Sequence, residues 1–130
     1  MLTHEAMYDL MYEVRGAAMA VYNHFGPGLL ESVYEKAMVQ ELKLRGLKAE
    51  SQVPLEIMYK GAKIGDELKL DLLVEDELIV ELKSVEEIKD VYYKQLRTYL
   101  KLLDKEEGLL INFGEYDLTK GMRRVTLKRH

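Results

Sequence analysis

No cysteine occurs among the 130 residues. Disulfides and thiolate zinc sites are thereby excluded, and a reducing compartment is allowed. No apolar run is long enough to span a bilayer. The opening Met1-Leu2-Thr3-His4-Glu5 has no basic stretch followed by an apolar one, so no signal peptide is read there. Together these absences lead to the expectation of a cytoplasmic protein with no membrane partner. No repeat, linker or low-complexity segment interrupts the chain, and one domain over residues 1–130 is expected. An excess of positive charge is missing too. Lys and Arg number 19 against 23 Asp and Glu, a net charge of −4. A coat for nucleic acid is basic, so that class is disfavoured. The argument is weaker against a site of carboxylates around a cation, because the ion itself supplies positive charge.

What is present is ordinary for a globular chain: 48% hydrophobic and 32% charged residues, enough for a proper core. Residues 3–25 read as a helix, with Met7, Leu10, Met11, Val14, Ala17, Ala18, Val21 and Phe25 at three- and four-residue steps. Thr3 is its N-cap and Gly26 its stop. A second helix spans about 29–45, with Leu30, Val33, Tyr34, Ala37, Met38 and Leu42 as its stripe. From Lys48 the period changes to two. Strands are expected over Gln52–Tyr59, just after the Lys60-Gly61 turn, and over Lys69–Val74, Leu78–Lys83, Leu109–Phe113 and Arg123–Leu127, with a third helix over Asp90–Leu103. The strands around 70–73 and 78–82 are apolar on both faces and belong in the middle of a sheet. The order of elements predicts an α/β fold, a mixed sheet with helices packed on it. The basic end, Lys120, Arg123, Arg124, Lys128 and Arg129, reads either as a phosphate contact or as a charge-guarded edge strand.

Three charged residues stand out on the two central strands. Side chains alternate along a strand, so Glu81 and Lys83 share a face with Ile79, and Asp71 shares one with Leu73. A three-residue loop at 75–77 pairs Val74 with Leu78 and sets Asp71 opposite Glu81. A two-residue turn would send the acids to opposite faces. Facing carboxylates repel, and among Leu, Ile and Val they also lose hydration. Such a pair calls for a cation. Lys83 is one, and a divalent metal is another. Mg²⁺ takes oxygen ligands, often one or two carboxylates with waters and phosphate, and the Leu82 carbonyl adds a further donor. An ion held there polarises a phosphate oxygen and activates water, while Lys83 orients that water or steadies charge on phosphorus. A structural ion pair, or carboxylates on a wet sheet face, is the competing reading that these three residues leave open.

Neighbouring residues bear on that choice. Glu31, Tyr34 and Glu35 fall within one sector of the second helix, and Gln95 and Tyr99 lie one turn apart on the third. Glu31 also suits a first helical turn, Glu35 also suits a solvated position, and Tyr34 and Tyr99 fall on apolar stripes where a core role is natural.

Taken together, Gly28-Leu29-Leu30-Glu31-Ser32-Val33-Tyr34, Glu81-Leu82-Lys83-Ser84, Gln95-Leu96-Arg97-Thr98-Tyr99 and Leu110-Ile111-Asn112-Phe113-Gly114 resemble the GxxExxY proteins, compact members of the PD-(D/E)XK nuclease superfamily. The third of these segments is similar to the QxxxY element of the superfamily's RecB-like nucleases. The resemblance spans nearly the whole chain. It implies a restriction-endonuclease-like fold, with Asp71 and Glu81 as metal ligands and Lys83 as the catalytic lysine. It further implies that Glu31 reaches the metal or its water, and that Gln95 and Tyr99 line the site, with Tyr34 and Glu35 as support. Leu70 stands where the superfamily's name has proline. The expected activity is cleavage of phosphodiester bonds, in DNA, with Mg²⁺ or Mn²⁺. Two other functions stay open: a non-catalytic binding module on the same fold, as a homodimer, and a hydrolase of a smaller phosphate ester, which suits the acidic surface.

Overall fold

The computed structural model describes residues 2–127. Lys128 and Arg129, at the basic end, lie outside the described residues. The first helix, α1, runs from His4 to Phe25, where the Thr3 hydroxyl accepts from the Ala6 N–H at 3.0 Å and Gly26 closes the helix at φ 74°. This N-cap satisfies one of the four amides that every helix start leaves without an internal partner. Met7, Leu10, Met11, Val14, Ala17, Ala18 and Val21 form the buried stripe. The second helix, α2 (Glu31–Leu44), buries Tyr34, Met38 and Leu42.

Seven strands follow: β1 (Ala49–Pro54), β2 (Ile57–Tyr59), β3 (Ala62–Gly65), β4 (Lys69–Val74), β5 (Leu78–Lys83), β6 (Glu107–Asn112) and β7 (Met122–Thr126), with helix α3 (Asp90–Leu103) between β5 and β6. Five of them make one mixed sheet in the order β1-β4-β5-β6-β7. Only β5 and β6 run parallel, and α3 is the crossover such a pair requires. β5 is central, as its two apolar faces demand. Helices α1 and α2 pack on one face against Leu72, Val74, Leu78, Val80, Leu82, Leu109 and Ile111. Helix α3 packs on the other against Leu73, Ile79, Leu110 and Val125. On β5 the even positions feed the first core and Ile79 the second; on β4 Leu72 and Val74 join the first core and Leu73 the second, but the alternation breaks beside Asp71, so Leu70 also joins the second. The result is the mixed sheet flanked by helices of the restriction-endonuclease-like fold.

Three expectations are corrected. The strand read over Gln52–Tyr59 is two strands in different sheets. Pro54 has no N–H to continue a ladder, the Leu55 N–H turns to the Leu68 carbonyl, and the chain leaves the main sheet for the β2–β3 hairpin. β6 begins at Glu107 rather than Leu109, because Glu107 pairs with Thr126 and its carboxylate is held by Arg124 at 2.7 and 2.9 Å. A hydrophobicity reading has no means of seeing a strand that opens on a buried glutamate held by an exposed arginine. Finally, the last strand runs over Met122–Thr126 rather than Arg123–Leu127 and is an edge strand, on which Arg124 is engaged by Glu107.

Candidate active site

The loop between β4 and β5 holds three residues, with Glu75 and Asp76 both left-handed (φ 52° and 58°). It pairs Val74 with Leu78, Leu73 with Ile79 and Leu72 with Val80. The next pair in this register is Asp71 and Glu81, and here side chains take over from backbone. The Leu82 N–H donates to Asp71 Oδ2 at 2.8 Å, and the Asp71 N–H donates to Glu81 Oε1 at 3.4 Å. The two acids therefore meet where the β4–β5 ladder ends.

Glu81 is buried and Asp71 half-buried. Burial is the main reason the Glu81 carboxyl is pushed up to about 9. The Asp71 charge and a hydrogen bond between the two carboxyls push the same way, and the Asp71 N–H and then Lys83 only partly oppose them. Without a cation the pair therefore holds a proton at neutral pH. Tyr99, buried on α3, is also raised, by burial first and then by the charges of Glu81 and Asp71. A hydrogen bond with Gln95 works the other way. Gln95, exposed, and Tyr99 thus border the acids from the α3 side.

The Lys83 ammonium lies 4.7 Å from the centroid of the Tyr92 ring, a cation–π contact that supports it at the first turn of α3. The chain just after Lys83 is pinned. The fully buried Asn112 side chain accepts from the Val85 and Gly114 N–H groups and donates to the Val85 carbonyl. Gly114 passes so close to the Val85 backbone that a Cβ there would overlap it. Ser84 donates to the Leu29 carbonyl at 2.6 Å, tying this end of β5 to the turn before α2.

That turn is where Tyr34 acts. Its ring is fully buried and stacks on Phe113 at 4.2 Å. Its hydroxyl donates to the Gly26 carbonyl and accepts from the Leu29 N–H. Tyr34 therefore sits in the α1–α2 core, apart from the acids, and holds the Gly26–Leu29 turn against which Ser84 rests. Glu31 is exposed on the first turn of α2. Glu35, one turn on, is half-buried and raised, chiefly by burial, with Asp71 and Glu31 adding repulsion and a hydrogen bond from Gln52 opposing.

Gln52 and Tyr92 were not singled out from the sequence. Gln52 lies on β1 between the pairs Ser51–Leu72 and Val53–Leu70, opposite Asp71, and its φ is 52°. A left-handed residue other than glycine costs roughly 1–2 kcal/mol. Its Nε2 donates to both Glu35 oxygens, at 3.0 and 2.9 Å. The one visible signal was a polar residue preceding the strand-like Val53-Pro54-Leu55.

Among the described residues, no three acidic or histidine side chains form a group fit to hold an ion. The pair Asp71 and Glu81 is the nucleus, and Glu31 stands outside it. Mg²⁺ and Mn²⁺ accept such a set, two hard carboxylates completed by water, carbonyl and phosphate oxygen. A buried glutamate and a half-buried aspartate that meet at the end of the ladder are a donor set that fits one. A cavity of about 470 Å³ lined by Leu2, Met7, Glu107 and Arg124 lies toward the opposite end of the β5–β6 pair, where Leu78 meets Glu107, and takes no part in the site.

A family model for the PD-(D/E)XK nuclease superfamily matches residues 8–125. The chain belongs to the PD-(D/E)XK nuclease superfamily. Members of this superfamily are usually nucleases and generally use divalent metals, and the acid pair on adjacent strands with a lysine two residues beyond Glu81 is the arrangement its name describes. The matched segment takes in α2, the β4–β5 hairpin and α3, and so every candidate residue named above. No curated protein and no solved structure matches the chain. Among the described residues, no helix is long and apolar enough to cross a membrane.

Proposed function

We propose that this chain is a Mg²⁺- or Mn²⁺-dependent nuclease that hydrolyses phosphodiester bonds in DNA, built as one domain over residues 1–130, of the GxxExxY group, and working in the cytoplasm. The observation that carries the reading is the meeting of Asp71 and Glu81 at the end of the β4–β5 ladder, with Lys83 two residues on. The GxxExxY assignment rests on Gly28, Glu31 and Tyr34 at that spacing.

Asp71 and Glu81 would hold the ion, and the Leu82 carbonyl would add a ligand. In an extended strand the N–H and C=O of one residue point the same way, and the Leu82 N–H points at Asp71. Bound there, the ion supplies a Lewis acid for the phosphate and a water of lowered pKa. To hold the ion, Glu81 would release its proton to solvent, so that both carboxylates are charged. Lys83, supported by Tyr92, orients the attacking water or meets charge growing on the phosphorus oxygens. Gln95 steadies the Tyr99 hydroxyl at the edge of the pair and faces the substrate. Glu31 and Glu35, both on α2, would accept from water on the ion.

The test is incubation of the protein with plasmid, single-stranded DNA and RNA in Mg²⁺, Mn²⁺ or EDTA, beside Asp71→Ala and Lys83→Ala. Metal-dependent cleavage of DNA lost in both variants is the expected result. The net charge of −4 favours a second reading, a small phosphate ester as substrate. Cleavage of a nucleotide ester but of no polymer would select it. Metal-dependent thermal stabilisation with no hydrolysis of any kind would select a binding module.

A further inference from the structure

Gln52 is poorly explained as a strand residue. It lies between two regular β1–β4 pairs, yet it is left-handed and forms no bridge with Asp71 opposite it. A side chain on the outer strand of a sheet normally gains nothing from such a backbone. Here the twist turns the amide across to α2, where Nε2 donates to both oxygens of Glu35. Glu35 in turn has reason to move away, because Asp71 and Glu31 both repel it. Among the described residues, the hydrogen bonds to that carboxylate come from the Gln52 amide.

We propose that Gln52 is a positioning residue: its amide and its left-handed backbone hold the Glu35 carboxylate beside Asp71, where Glu35 accepts hydrogen bonds from water on the ion held by Asp71 and Glu81. The inference rests on the metal-dependent reading of the site and adds to it a residue and a task. A carboxylate oxygen has lone pairs to spare after accepting from Gln52, so the same group serves both partners. Partners of this kind, one bond removed from the ion, typically change metal affinity by 10–100-fold when lost.

The experiment is Mn²⁺ binding by titration calorimetry on the full chain without nucleic acid, for wild type, Asp71→Asn, Gln52→Asn, Glu35→Gln and the double variant Gln52→Asn/Glu35→Gln. Asparagine tolerates the left-handed backbone but is one methylene too short to reach Glu35. Thermal unfolding in EDTA should therefore leave Gln52→Asn close to wild type, and Gln52→Gly serves as a second fold-preserving variant. Gln52→Asn is expected to weaken Mn²⁺ binding roughly tenfold, and to add nothing once Glu35 is Gln. Binding that is lost in Asp71→Asn but unchanged in Gln52→Asn and Gln52→Gly overturns this inference alone. An equal loss from Gln52→Asn in the presence and absence of the Glu35 carboxylate overturns it too. A wild-type chain that takes up no Mn²⁺ overturns both this inference and the metal-dependent reading. Tight Mn²⁺ binding without cleavage counts against the nuclease reading, while the variant affinities still decide the role of Gln52.

Discussion

Leu82 donates its backbone N–H to Asp71 Oδ2 at 2.8 Å. An acid thus occupies the position that a β4 carbonyl would take in an uninterrupted ladder. The bond ties the Asp71 carboxylate to the strand that carries Glu81 and Lys83, so the orientation of the site acid depends on the sheet itself rather than on a loop.

This bond separates two substitutions at Asp71. Asparagine keeps an oxygen for the Leu82 N–H and removes the charge that faces Glu81. Alanine removes both and leaves a part-buried donor unsatisfied, at about 1–2 kcal/mol. Urea unfolding in EDTA at pH 8 should find Asp71→Asn more stable than Asp71→Ala by about that amount. Both variants should lose metal-dependent activity.

Glu81 sets the pH dependence of the metal-free protein. Its carboxyl is raised from 4.5 to about 9 in the folded state. Between those values the folded chain holds a proton that the unfolded chain has released. Its stabilising contribution is complete below pH 4.5 and fades as pH rises through 9. Stability in EDTA should therefore fall with pH across this window, with a slope of at most about 1.4 kcal/mol per pH unit per proton. Glu35, also raised, contributes with the same sign. Glu81→Gln should flatten most of the slope, and thermal stabilisation by Mg²⁺ should grow with pH over the same range.

Tyr92 supports Lys83 through its ring face, so the ring and not the hydroxyl should matter. Tyr92→Phe should cleave DNA at close to the wild-type rate. Tyr92→Leu should lower kcat roughly tenfold, the equivalent of about 1.4 kcal/mol of cation–π contact. A comparison of kcat and KM for the two variants checks this.

Asn112 satisfies three backbone groups of Val85 and Gly114 from a fully buried position. Asn112→Ala should cost about 2–4 kcal/mol, measured by denaturant unfolding. Asn112→Asp should also destabilise, since a carboxylate cannot donate to the Val85 carbonyl.

Much of this was legible in the sequence where a period and a loop length sufficed. Thr3 and Gly26 bound α1 as their chemistry requires. The opposition of Asp71 and Glu81 followed from counting three residues between Val74 and Leu78. What escaped depended on long-range geometry. Gln52 becomes visible only when β1 is laid against β4 and its left-handed twist is known, because nothing in Ser51-Gln52-Val53 announces a contact with α2. Tyr92 meets Lys83 across the connection from β5 to α3, a contact that residue spacing does not encode. Tyr34 shared a helical sector with Glu31 and Glu35, yet its ring follows the apolar stripe into the core against Phe113. The break at Pro54 was open to a stricter reading, since proline rarely continues a paired strand.

The central claim is that Asp71 and Glu81 share a divalent ion. Crystals grown with Mn²⁺ and measured at a wavelength where manganese scatters anomalously test it directly. The account predicts an anomalous peak between the two carboxylates, with Asp71 and Glu81 oxygens about 2.1–2.3 Å away and the peak absent in Asp71→Asn. A wild-type map with no peak there, or with the Mn²⁺ bound elsewhere on the chain, would contradict it.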